Sequence, residues 1–161
     1  MRKRRIYLDT SVVSFLFADD APEFRAITEE FFHLYVATGL YDVAISEVVI
    51  AEIERTTDPS KRSRLGTAVA QYAIPQLRLT EEAESLAAED LKWDVIPPRY
   101  ADDARHIAIA TCHEMDVLLS WNFKHLANIK KQTEVRAVNE RNGYLHPLLL
   151  ATPMEVFYED R

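Results

Sequence analysis

Short apolar runs alternate with stretches of helical spacing along the whole chain, and this rhythm limits the fold more than any other feature. Residues 5–8, 43–45, 77–79, 117–119 and 148–150 read as strands, too short for helices and bounded by turn or capping residues. Between them lie helical patterns. Pro22 opens one with Phe24, Ile27, Phe31, Leu34 and Tyr35 at helical spacing, and Gly39 ends it. Ser46 caps a second, running to about Arg55, and after Asp58-Pro59-Ser60 a third runs to about Tyr72. Thr80 caps a fourth, with Glu81, Glu82 and Glu84 in its first turn where acids suit the helix dipole. Residues 93–99 contain Pro97-Pro98 and form a loop. Helices then cover 102–114 and most of 124–142, with Gly143 as the stop, and Pro153 starts a final turn. Strands and helices in alternation imply a parallel sheet covered on both faces. With no repeat and no linker, residues 1–161 read as one domain.

Composition narrows the class. A 48% apolar and 28% charged chain is that of a soluble globular protein. The single cysteine, Cys112, excludes an intrachain disulfide; it lies in an apolar helical pattern, reads as a buried thiol and suits a reducing cytoplasm. No apolar run is long enough to span a membrane, and the stretch after the basic 1–5 segment is broken by Asp9, unlike a signal peptide. The formal net charge of −7 argues against a protein that holds nucleic acid by bulk electrostatics. It leaves room for an enzyme whose own acids supply part of the deficit, provided that a metal ion and a local basic patch reverse the sign where the backbone docks.

Four polar residues interrupt apolar segments. Asp9 follows the first strand directly, where ligands bind in open α/β sheets; a turn or cap role is the alternative. Glu52 falls at the edge of the buried stripe of its helix, beside Ile53, whereas Glu47 and Glu54 point to solvent. A carboxylate so placed needs a metal or an arginine partner. Asp102 and Asp103 head the next-to-last long helix; one cap needs only one acid, so Asp102 caps and Asp103 turns onto the face of Ile107 and Ala110. Asn122 follows the 117–119 strand, at the equivalent strand-end position. Trp121 and Phe123 beside it read as packing residues. Asp103-x-x-His106 lacks the further ligands of a zinc site. Carboxylates brought together by folding repel, and a hard divalent cation relieves them, which makes a phosphodiester the natural substrate. No glycine-rich phosphate loop or nucleophile elbow is present, and Asp9 is not followed two residues later by the second Asp of a phosphoaspartate phosphatase.

Leu8-Asp9-Thr10-Ser11, the Ser46-x5-Glu52 helix, Asp103-Ala-x-His-Ile-Ala-x-Ala and Leu-Leu-Ser120-x-Asn122-x-x-His125-Leu126 together resemble the PIN domain, and most closely the VapC-type toxins of toxin–antitoxin modules. The resemblance covers nearly the whole chain in order. It implies a Rossmann-like three-layer α/β/α sandwich with a short parallel sheet, and a cytoplasmic endoribonuclease dependent on Mg2+ or Mn2+. By position, Asp9, Glu52 and Asp103 match the three core acids and Asn122 stands at the fourth, often an Asp. Asp9 and Asp103 would hold the metal, Glu52 would orient or deprotonate the attacking water, and Asn122 would position a metal-bound water. Thr10, Ser11 and Ser120 would hydrogen-bond the carboxylates, and Arg105, Lys124 and His125 would dock RNA. A homodimer and a cognate antitoxin are implied as partners; the stripe Phe24, Ile27, Phe31 and Tyr35 reads first as core and second as a surface for such a contact. The asparagine at the fourth position keeps open a catalytically weak module that binds RNA or a protein.

Overall fold

The computed structural model describes residues 2–155. Five strands, β1 (Arg5–Leu8), β2 (Asp42–Ser46), β3 (Gln76–Leu77), β4 (Val117–Leu119) and β5 (Leu149–Ala151), form one sheet in the order β3-β2-β1-β4-β5. Every pairing is parallel, with Tyr7 opposite both Ala44 and Leu118. Consecutive side chains of a strand point to opposite faces. Ile6, Tyr7 and Leu8 are all inaccessible to solvent, so both faces of the central strand are covered. The helices that cover them are α1 (Thr10–Ser14), α2 (Pro22–Phe31), α3 (Glu47–Glu54), α4 (Pro59–Gln71), α5 (Glu81–Lys92), α6 (Ala101–Cys112) and α7 (Ile129–Arg141). The expected layered α/β architecture is therefore what forms.

Local chemistry accounts for most boundaries. Asp9, Ser46, Asp58, Thr80 and Asn128 each accept a hydrogen bond from a backbone N–H in the first turn of the helix that follows. Helix α2 continues into a π-helical turn, Phe32–Val36, before Gly39 takes the left-handed backbone at φ 71° that ends it. The stripe on this helix is core: Phe31 and Tyr35 are buried, and Phe24 and Ile27 are partly buried against the core cluster.

Three expectations are corrected. Helix α7 starts at Ile129 rather than near Lys124, because Asn128 turns the chain there. Its Oδ1 accepts from Lys131 N–H while its Nδ2 donates to the carbonyls of Phe123 and Lys124. Asp102 is not a cap; α6 begins without a side-chain cap and Asp102 is spent on ion pairs. Cys112 is half-buried rather than enclosed, with its thiol against the Tyr144 hydroxyl. Pro153 opens a helical turn over residues 153–155, as expected.

Candidate active site

The chain fills the sheet outward from β1 in two directions, first through β2 and β3, then through β4 and β5. The strand order thus reverses between β1 and β4, and in open parallel sheets the crevice beyond the carboxyl ends at such a reversal receives ligands. Asp9 stands there, one residue past β1, with its N–H bonded to the Leu119 carbonyl at the end of β4. Its side chain is almost wholly buried, at 4% exposure. Oδ1 accepts from the Ser11 hydroxyl at 2.6 Å and from Val12 N–H at 3.3 Å, and Oδ2 accepts from the Ser120 hydroxyl at 2.5 Å. Asp9 is therefore both the cap of α1 and a fixed carboxyl at the crevice, so the two readings of its sequence position are compatible. Burial raises its pKa against the opposing pull of His106 and the two serines.

Glu52, on α3, lies at the rim of the buried stripe as its spacing implies, with a quarter of its side chain exposed. Its Oε1 accepts from the Thr10 hydroxyl at 2.8 Å and meets His106 Nε2 at 2.6 Å. The expected alternative to a metal was an arginine; the partner is a histidine. His106 on α6 is 1% exposed, and its other nitrogen, Nδ1, sits 2.5 Å from the Tyr7 hydroxyl, which lies 2.7 Å from Ser46 Oγ. Burial disfavours the imidazolium, but the bond to Glu52 and the charges of Glu52, Asp9 and Asp103 prevail and raise its pKa. With both nitrogens protonated, Nε2–H donates to Glu52 and Nδ1–H to Tyr7. The sequence reading weighed His106 only as a zinc ligand. Its place one turn after Asp103, on the same helix face, was the signal that it belongs to the acid pocket.

Asp103 completes the acidic group. It is half-buried and accepts no hydrogen bond among the described residues. Burial, together with the charges of Asp9, Glu52 and Asp102, pushes its pKa up to about 6 in spite of His106. Asp102 faces away and, against the cost of burial, is held below the ordinary range by Arg55 at 2.7 Å and Arg105 at 2.8 Å. Arg105 is bound by Asp102 and Glu84, so it is not the free docking cation expected. Asn122 spends its Oδ1 on the His125 N–H at 2.9 Å and caps the turn after β4. Trp121 packs, buried, with Nε1–H donating to Thr28, whereas Phe123 is 49% exposed.

Among the described residues, no three His, Cys, Asp or Glu side chains converge to enclose a metal ion. That geometry suits neither a structural zinc nor a caged calcium. Mg2+ makes a smaller demand on the protein, since it keeps several waters and is held through one or two carboxylates and the phosphates of a substrate. Asp103, acidic, crowded and unpartnered, is the group whose chemistry asks for such a cation.

No family model matches the chain, and no curated protein does. Solved structures do. One is Mycobacterium tuberculosis VapC20, described as a sarcin-ricin loop cleaving toxin, at 14% identity and a TM-score of 0.56, covering 88% of this chain and 97% of that one. Another is VapBC-5 of the same organism, a member of the VapBC family of toxin–antitoxin systems, at 15% identity and a TM-score of 0.50, covering 92% and 98%. The chain has the PIN-type fold of VapC toxins.

Proposed function

We propose that the protein is a metal-dependent endoribonuclease, the toxin of a toxin–antitoxin pair. The observation that carries this reading is the set Asp9, Glu52 and Asp103 at the sheet's reversal point, two of them locked by hydroxyl donors and the third left without a partner. The fold shared with the VapC structures supports it, and so does the cleaving activity ascribed to VapC20. By the same likeness, a cognate antitoxin is the proposed protein partner; a homodimer, as the family resemblance implies, is the proposed assembly.

Asp9 and Asp103 would hold a Mg2+ or Mn2+ ion. When bound, the ion lowers the pKa of a coordinated water and offsets charge on the phosphate. Ser11 and Ser120 keep the Asp9 carboxyl in one orientation, and Thr10 and His106 do the same for Glu52. Because Oε1 of Glu52 already carries two donors, its Oε2 is the oxygen left to align the attacking water. Glu52 in this arrangement orients the water more than it takes its proton. His106 is enclosed, and the acids around it raise its pKa, so its imidazolium form would offset part of their mutual repulsion.

The test is cleavage of single-stranded and structured RNA with Mg2+ or Mn2+, comparing the wild type with Asp9→Asn and Asp103→Asn. Metal-dependent cleavage should fall at least a hundredfold in both variants, on the order seen when a metal-activated step is lost. A second reading, a binding module with little activity, is favoured by Asn122, whose carbonyl is used in a turn and which brings no fourth charge. RNA bound but never cut by the wild type would establish that alternative.

A further inference from the structure

A ring pair, with two cations that form no ion pair among the described residues, lies on the segments that lead into Asp103 and out of Asn122. Tyr100 closes the short helical turn Pro98–Tyr100 and leads directly into α6, three residues before Asp103. His125 follows β4, and its N–H is the group that Asn122 holds. Their rings stack with centroids 4.3 Å apart and planes at 33°. The Arg99 guanidinium lies 5.0 Å from the Tyr100 centroid. Burial, and then the charges of Lys124, Lys131 and Arg99, lower the His125 pKa, so near neutrality its ring is an uncharged π surface. Of those three cations, Lys131 is committed to Glu134 and the Val95 carbonyl. Arg99 and Lys124 form no ion pair among the described residues.

We infer that Tyr100 and His125 form a stacking shelf for an unpaired base of single-stranded RNA, with Arg99 and Lys124 taking the flanking phosphates so that the strand crosses the acid pocket. The inference rests on the ribonuclease reading for the identity of the strand. Three observations favour RNA over a protein partner. The rings come from the two segments that also supply Asp103 and Asn122, so whatever lies on them is led to the carboxylates. Flat rings with adjacent cations match alternating bases and phosphates, and stacking accepts every base. A chain of net charge −7 can dock a polyanion only where free cations are gathered, and they are gathered here. A duplex does not qualify, because its bases are already stacked.

Fluorescence anisotropy of the full chain with a labelled single strand of about 12 nucleotides tests this, in Ca2+, with the strand checked by gel for integrity. Tyr100→Ala and His125→Ala should each weaken binding roughly tenfold or more, with the salt dependence unchanged. Tyr100→Phe should bind as the wild type. The exposed double variant Arg99→Ala/Lys124→Ala should flatten the slope of log affinity against log salt by about 1.4, the contribution of two phosphates on a single strand. Wild-type affinity in both ring variants overturns the shelf, as does equal affinity for blunt duplex RNA. A wild type that fails to bind the strand overturns it too and leaves the surface to a protein partner. Ring-dependent binding without metal-dependent cleavage would instead sink the ribonuclease reading and keep the shelf. Cleavage by Tyr100→Ala with unchanged KM would do the reverse.

Discussion

At His106 a fully enclosed imidazole faces three carboxyls, and its two hydrogen bonds leave it no other way to turn. Removing one member of such a pair costs more than the pair contributes, because the remaining charge keeps its desolvation penalty. His106→Gln should therefore lower metal-free stability by about 2–3 kcal/mol, less than for a wholly buried pair because Glu52 is partly solvated. Urea unfolding in chelator measures it, and a midpoint equal to the wild type would discard this account of the pocket. Asp90 on α5 presents the opposite case: it is inaccessible to solvent, and neither carboxyl oxygen has a hydrogen-bond partner. Burial, with a contribution from Glu89, pushes its pKa up to about 7 from 3.8. The folded chain then binds a proton that the unfolded chain releases between about pH 4 and 7. Stability falls as pH rises through that window and is lowest above it, by roughly 4 kcal/mol at 1.36 kcal/mol per pH unit. Asp90→Asn keeps the shape and removes the titration. It should match the wild type near pH 4 and exceed it by about 2–4 kcal/mol at pH 8. Parallel pH profiles of the two proteins would show that Asp90 stays ionised, and the argument would fail.

Elements were legible where one local signal dominated. The apolar runs marked β1, β2 and β4 because buried parallel strands need apolar residues on both faces. Ser46 and Thr80 marked helix starts because a side-chain oxygen there replaces a missing backbone partner. The start of α7 was misplaced because residues 124–128 have helical composition, and the competing bonds of Asn122 and Asn128 keep them in turns. Asn128→Ala should cost about 1–2 kcal/mol, the upper range for a cap, since it also releases the carbonyls of Phe123 and Lys124. The same change should loosen the segment carrying His125, read as faster amide exchange over residues 123–127. Exchange that accelerates only within α7 would show the asparagine to be a cap and nothing more. At the site, Asp9, Glu52 and Asp103 were recognisable as misplaced charges, Thr10 and Ser11 as neighbours of Asp9 in sequence, and Ser120 only through its place beside Asn122. Tyr7 and Tyr100 were not, because a tyrosine in an apolar strand or a proline-rich loop gives no local sign of what its hydroxyl or ring will meet.

Across the whole molecule, charge is distributed unevenly, and the strand order does the sorting. Because β4 pairs with β1 on the side away from β2, the residues after β1 and β4 meet α3 and the head of α6 at one crevice. That arrangement brings acids from three distant segments together, with the Asn122 amide from a fourth, which no local pattern in the sequence specifies. The crowding has a thermodynamic consequence independent of catalysis. A cation that binds the folded chain and not the unfolded one adds RT ln(1 + [L]/Kd), about 2.7 kcal/mol at a hundred times Kd. For a chain of this length such a gain raises Tm by about 2–4 °C for each kcal/mol. Mn2+ or Mg2+ should therefore raise the wild-type Tm with a saturating dose dependence. Asp9→Asn and Asp103→Asn should begin from an equal or higher metal-free Tm, having shed a buried charge, and then respond little to either ion. Glu82→Gln, on the exposed first turn of α5 away from the crevice, should respond as the wild type does. If the two crevice variants keep the full metal-dependent rise, the cation binds elsewhere, and the carboxylates at the sheet reversal are held together by His106 and protons alone.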